Sequence, residues 1–225
     1  MSRPVVIAID GPAASGKSSV ARGLAAAFGF SYINSGAMYR AFTWHVLNRG
    51  IDPADSEAVA TAAKEARIET GFEDGRSTID IDGFRPIDQL RDESVNRAVS
   101  AVSAVEAVRD RLVEAFRVLA SRHNVIIEGR DIGSVVFPDT PYKFYLDAPA
   151  DIRQRRRAAE GQHDEVASRD HLDSSRRTAP LVVAPDAIVV DTSCLDLAGV
   201  IEEVSRHLVA MGLSPQGSAF ADPGP

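Results

Sequence analysis

The chain has 225 residues, 44% of them hydrophobic, enough to bury a full core as one domain or as a core with insertions. Its net charge of −7 argues against general nucleic-acid binding, because nothing global would neutralise phosphates, and any anion site must therefore be local. Cys194 is the only cysteine, which excludes an internal disulfide and a cysteine-based metal centre and fits a reducing compartment.

The first predicted element is a buried strand over Val5–Asp10, an apolar, β-branched run. Gly11, Pro12, Ala13, Ala14, Ser15, Gly16, Lys17 and Ser18 follow directly and fit GxxxxGKS/T, and a helix over Lys17–Phe28 follows the loop. Strand, glycine loop and helix together let backbone N–H groups and the positive end of a helix close around di- or triphosphate oxygens. Gly11 and Gly16 allow positive φ and close backbone approach. Lys17 would bridge β- and γ-phosphates, and the Ser18 hydroxyl would take one coordination position on Mg²⁺. The expected ATP contacts run from Gly11 to Ser19.

A strand over Ser31–Ile33 and a helix over Ala37–Asn48 come next. Ile68–Ile87 breaks the rhythm: Glu73-Asp74-Gly75 is a turn signal and Ile79-Asp80-Ile81 alternates, so a small antiparallel β-insert is expected. Ser94–Arg122 has the pattern of one long helix, yet Ser103 and Glu106 have capping-box spacing and predict a break near Ser103. That break matters for Ser100 and Arg109. On a continuous helix they lie about two and a half turns apart and on opposite sides, whereas a break lets both face one cavity. Strands follow at Val125–Glu128, Tyr142–Leu146 and Ala187–Asp191, with helices at Asp151–Glu160, Val166–Arg177 and Leu195–Met211. Apolar runs alternating with amphipathic stretches predict a parallel α/β sheet. Gly212–Pro225 has no period and reads as a frayed tail. No run approaches the roughly 18 apolar residues of a membrane span, and no leader pattern opens the chain, so a cytoplasmic protein with no membrane partner is expected.

P-loops serve GTP switches, motor ATPases and small-molecule kinases. No NKxD-type guanine reader occurs, but arginines stand beside turns and helix ends: Arg40, Arg130, the cluster Arg153, Arg155, Arg156 and Arg157, and Arg169 with Arg176. Phosphoryl transfer between two anions relies on such neutralising, positioning groups, which implies a kinase of a phosphorylated acceptor. A kinase of another acceptor, such as AMP, UMP or shikimate, and a protein that only senses ATP are the competing readings. The five histidines show no metal-ligand spacing.

Four motifs in combination are specific: Gly-Pro-Ala-Ala-Ser-Gly-Lys-Ser from Gly11, Ser-Gly-Ala-Met-Tyr-Arg from Ser35, Glu-Gly-Arg-Asp-Ile-Gly from Glu128, and Arg-Asp-x-x-Asp-x-x-Arg from Arg169, followed by Ala179-Pro180-Leu181. From about Pro4 to Leu208 the chain resembles the bacterial cytidylate kinases, which are nucleoside monophosphate kinases. The resemblance implies transfer of the ATP γ-phosphoryl group to CMP or dCMP; Mg²⁺ is the expected cofactor, and a monomer is expected. It also implies a P-loop, five-stranded parallel core with a mobile acceptor region, a β-insert and a lid. The kinase domain would span 1–211, with core segments 1–33, 123–157 and 178–211, an acceptor region 34–122 carrying the insert at about 68–87, a lid at about 153–177, and a tail 212–225.

By the same resemblance Arg40 and Arg130 hold the acceptor phosphate, with Ser35 nearby, and Ser100, Arg109 and Asp131 read cytosine. Cytosine presents an amino donor at N4 and acceptors at N3 and O2, so an acid opposite N4 with Arg and Ser on the other atoms is chemically complete. Glu128 either holds Mg²⁺ through water or is a strand-end charge paired with Arg or Lys. Arg169, Asp173 and Arg176, at i, i+4 and i+7, share one helix face that would close on the nucleotide, Asp173 at the ribose. Arg153, Arg156 and Arg157 would face the transferring phosphoryl group, although arginines at a helix C-terminus also complement its dipole. Only Ala158–Ser168 separates Arg157 from Arg169, so the expected lid is short. Asn34 stands where an acid often precedes Ser-Gly-Ala in the family.

Overall fold

The computed structural model describes residues 3–159 and 181–216. Its elements in chain order are β1 (Val6–Asp10), α1 (Lys17–Phe28), β2 (Ser31–Asn34), α2 (Ser35–Asn48), α3 (Ser56–Glu65), β3 (Ile68–Glu73), β4 (Arg76–Ile81), α4 (Glu93–Ala104), α5 (Glu106–Ala120), β5 (Val125–Glu128), β6 (Tyr142–Asp147), α6 (Ala150–Ala159), β7 (Ile188–Asp191) and α7 (Leu197–Ala210). A 3-10 turn at Asp88–Arg91 and a π turn at Ile132–Val136 join them. Among the described residues no helix is long and apolar enough to cross a membrane.

The strands form one sheet in the order β3-β4-β2-β5-β1-β6-β7. β2, β5, β1, β6 and β7 are the five parallel strands expected from the sequence. The insert, however, is not a separate hairpin. β3 and β4 pair antiparallel, and β4 continues the sheet by pairing parallel with β2 at Tyr32↔Arg76. The bare edge of β2 explains this, since its Tyr32 N–H needs an acceptor and finds the Gly75 carbonyl at 2.7 Å.

Side-chain alternation along the strands divides the core in two. Ala8, Ile33, Val125 and Ile127 face Phe42, Leu112 and Phe116, while Ile7, Ile9, Ile126 and Phe144 face Leu24, Phe28 and Val204. Helices therefore cover both faces, which a buried parallel sheet requires.

The predicted break in the 94–122 region is present, but its cause differs. Val105 carries it in extended conformation at φ −73 and ψ 121, with no side-chain cap on α5. Ser103 lies within the last turn of α4, where its hydroxyl donates back to the Ser100 carbonyl at 3.2 Å, so the capping box does not form. Helix α3 goes beyond the sequence expectation; Asp55 caps it by accepting from the N–H groups of Glu57 and Ala58.

The strand ends are flush where the site lies. Asn34 pairs with Glu128, and Glu128 with Ile9. The first residues beyond β2, β5 and β1 thus meet at the carboxyl edge of the sheet, the place where open α/β folds bind ligands.

Candidate active site

The loop from Gly11 to Gly16 leaves β1 through a backbone that admits no side chain at its start. Gly11 has φ +148, and a Cβ there would lie 2.1 Å from the Leu146 carbonyl oxygen. Gly16 is left-handed at φ 93, and α1 begins behind it without a side-chain cap, so the N–H groups of its first turn are directed at whatever the loop encloses. Four of the loop's carbonyls accept hydrogen bonds from side chains. Arg130 Nη1 donates to Gly11 at 3.2 Å, Lys17 Nζ to Pro12 at 2.5 Å, Arg153 Nη1 to Ala13 at 3.2 Å, and Thr192 Oγ1 to Ser15 at 3.3 Å. These bonds fix the loop carbonyls, and the buried Lys17 adds a cation beside them.

Beside the loop, Glu128 ends β5 with its carboxylate buried. It accepts from Ser18 Oγ at 2.8 Å and from the Tyr32 phenol at 3.2 Å. Burial, and then the charge of Glu128, push the Tyr32 phenol above its ordinary pKa, which keeps it a neutral donor. A hydroxyl and a carboxylate adjoining at a phosphate loop are hard oxygen donors that suit Mg²⁺, an ion that takes few protein ligands and keeps water and phosphate oxygens in its shell. The residues present fit that ion.

Across from the loop, Ser35 is buried and donates through Oγ to the Glu128 carbonyl at 2.6 Å, tying the start of α2 to the end of β5. Asn34 is the N-cap of α2, accepting from the Ala37 N–H at 2.9 Å, a role an acid would fill equally well, and the helix starts at Ser35 rather than at Ala37. Arg40, one turn on, donates to the Gly36 carbonyl at 3.1 Å and to Asn96 at 3.5 Å, reaching from α2 to α4. Arg109 of α5 and Asp131 form a buried ion pair, and the Arg109 guanidinium lies 5.9 Å from the centre of the Tyr39 ring. Ser100 is half-buried one turn before the α4–α5 joint.

Of the predicted lid residues, Arg156 on α6 donates to the Thr192 carbonyl at 2.6 Å and to its hydroxyl at 3.0 Å, and Arg157 is buried on the same helix. Arg169, Asp173 and Arg176, with most of the expected lid, lie outside the described residues.

Three side chains in the site were not singled out from the sequence: Tyr32, Thr192 and Asp10. Asp10 has the clearest signal, a carboxylate closing an otherwise apolar buried strand directly before Gly11. It accepts from the N–H of Ile132 at 2.8 Å and of Gly133 at 2.7 Å. Burial outweighs those two bonds and pushes its pKa up to about 6.

The family model for cytidylate kinase matches residues 7–209. The chain belongs to the cytidylate kinase family. It is 48% identical to the cytidylate kinase of Mycolicibacterium paratuberculosis, over 93% of this chain and 96% of that one. With the cytidylate kinase of Nocardia farcinica the identity is 45%, over 96% and 97% of the two chains. Among solved structures, a gluconokinase from Sinorhizobium meliloti 1021 superposes with a TM-score of 0.51 at 16% identity, covering 94% of this chain and 95% of its own; this likeness concerns the fold alone.

Proposed function

We infer that the protein transfers the γ-phosphoryl group of ATP to CMP or dCMP, giving ADP and CDP or dCDP. Membership of the cytidylate kinase family over residues 7–209 carries this reading. The chemistry of the strand edge supports it. Backbone N–H groups of the Gly11–Ser19 stretch and the Lys17 ammonium would bind the ATP phosphates. Ser18, with Glu128 directly or through water, would hold Mg²⁺, which when bound neutralises charge on the β- and γ-phosphate oxygens. Arg130 stands beside Gly11, between the donor loop and the acceptor side, where it can meet the acceptor phosphate together with Arg40. Arg156 and Arg157 of α6, and beyond them Arg169, Asp173 and Arg176, would complete the closure over both nucleotides. Residues 34–122 would act as the acceptor region and about 153–177 as the lid.

The buried Arg109–Asp131 pair supports cytosine as the base. A carboxylate has acceptor capacity for several donors, so Asp131 can accept from the N4 amino group while bonded to Arg109. Arg109 and Ser100 would then donate to the O2 and N3 acceptors. Uracil would turn a carbonyl oxygen toward the same carboxylate, leaving two acceptors face to face.

The test is an ADP-release assay with CMP, dCMP, UMP and AMP as acceptors. CMP and dCMP should be turned over, with UMP at least about tenfold slower in kcat/KM, since a site built around polar partners rejects a base that leaves them unpaired. Equal turnover of UMP would remove the cytosine reading, and ATP binding without ADP release on any acceptor would remove the kinase reading.

A further inference from the structure

The tripeptide Gly129-Arg130-Asp131 carries both a phosphate-binding arginine and the base-reading acid, so its position relative to the donor loop decides whether two substrates meet. Its two ends are held by consecutive residues of β1. Upstream, the Gly129 N–H donates to the Ile9 carbonyl at 3.0 Å. Downstream, the N–H groups of Ile132 and Gly133, the first two of the π turn, donate to separate oxygens of the Asp10 carboxylate. These are N–H groups of the kind that a helical turn leaves unpaired at its start, and an anion is their natural acceptor. The next residue, Gly11, accepts from Arg130 itself. There is little slack: a Cβ on Gly129 would lie 2.7 Å from the Ile132 side chain and 2.8 Å from Ser35 Oγ.

We propose that Asp10 is a positioning residue for the acceptor: by holding both N–H groups after Asp131, it fixes Arg130 and Asp131 against the donor loop and sets acceptor affinity and base choice. The inference rests on the reading of Arg130 and Asp131 as acceptor contacts. A neutral aliphatic residue in place of Asp10 would leave the sheet pairing of β1 intact but release the strap. An amide could accept from one N–H while pointing its own N–H₂ at the other.

The experiment compares wild type with Asp10→Asn and Gly133→Ala, measuring KM and kcat for CMP and UMP and the Kd of ATP without acceptor. Gly133→Ala probes the same segment from the other side: its Cβ would sit 3.1 Å from the Lys143 side chain, so that stem or the 132–133 backbone must give, while Asp10 Oδ2, at an ordinary contact distance of 3.4 Å, stays in place. Asp10→Asn should raise the CMP KM about tenfold and narrow the CMP-to-UMP ratio of kcat/KM, with the ATP Kd changed less than about threefold. Gly133→Ala should change these quantities in the same direction by a smaller factor. If Asp10→Asn does not fold, judged by a cooperative thermal melt, Gly133→Ala alone decides. An unchanged CMP KM and CMP-to-UMP ratio in a folded variant, or an equal loss of ATP affinity, overturns the proposal. Arg130→Ala and Asp131→Asn are run alongside. If these two show the acceptor-side losses while the Asp10 and Gly133 variants do not, only the positioning role fails; if neither does, the acceptor reading beneath it fails.

Discussion

The two halves of the site are built in different ways. The proposed donor half is a single contiguous stretch from Gly11 to Ser19, in which loop and helix follow one another directly behind β1 and the loop's shape is set by its own glycines. The proposed acceptor half would draw on Arg40 from α2, Ser100 from α4, Arg109 from α5 and Asp131 from the turn after β5. The elements that carry them are set by the strand order β2-β5-β1, whose flush register places Asn34, Glu128 and Ile9 side by side, and of the four only Arg109 and Asp131 have a described contact with each other. A local motif can fix phosphate binding by itself, but selectivity for an acceptor is a property of topology.

The sharpest way to separate the halves is Lys17→Ala. Removing one preorganised charge at a transferring group commonly costs about 10²–10³ in kcat, and the loss should be the same for CMP, dCMP and UMP because the lysine belongs to the donor side. Steady-state kinetics on the three acceptors check this. A loss that depended on the base would mean that the halves are not separable.

Asp10 sits at the junction, and its ionisation can be followed through stability. Its carboxyl has a folded pKa of about 6 against an ordinary value of 3.8, so below that range both folded and unfolded chains are protonated and above it both are ionised. Between the two values the folded chain binds the extra proton, and this group's contribution to stability falls as pH rises through that window. The ionised, buried form is therefore held at a cost of about 3 kcal/mol relative to the protonated one. Chemical denaturation of wild type and Asp10→Asn from pH 4 to pH 7 should show the wild type gaining on the variant by about 2–3 kcal/mol as the pH is lowered. A gap that does not vary with pH would place the Asp10 pKa outside the window.

The smallest effect is expected at α3, which supplies none of the proposed substrate contacts. Asp55→Ala removes the cap of α3 and should cost about 1 kcal/mol of stability, leaving kcat and the KM for CMP as they are. A change in CMP KM would tie α3 to the acceptor half.

The same contrast explains what could be read from the sequence. Gly11, Gly16, Lys17 and Ser18 are legible from spacing alone because four fixed positions behind an apolar strand encode one backbone shape. The parallel strands are legible because buried strands are apolar runs. Arg109 and Asp131 lie 22 residues apart with a strand between them, and no period connects them; only the family resemblance named the pair. The Ser103 capping box placed the break correctly and assigned it the wrong cause, since a serine in a last helical turn can bond backward as readily as forward. The merger of the insert with the main sheet was hidden because its signal is the unpaired edge of β2, a property of the neighbour and not of Ile68–Ile87. Helix α3 buries Val59, Ala62 and Ala63, small side chains that give a weak apolar stripe.

If cytosine is chosen by Asp131 held against Arg109, the CMP-to-UMP ratio of kcat/KM must differ between wild type and Asp131→Asn. The amide can present either a donor or an acceptor by turning, so the preference of at least about tenfold in the wild type should narrow, chiefly through lost activity on CMP. A wild type that uses UMP as well as CMP, or a ratio left unchanged by Asp131→Asn in a folded protein, would contradict that role of Asp131.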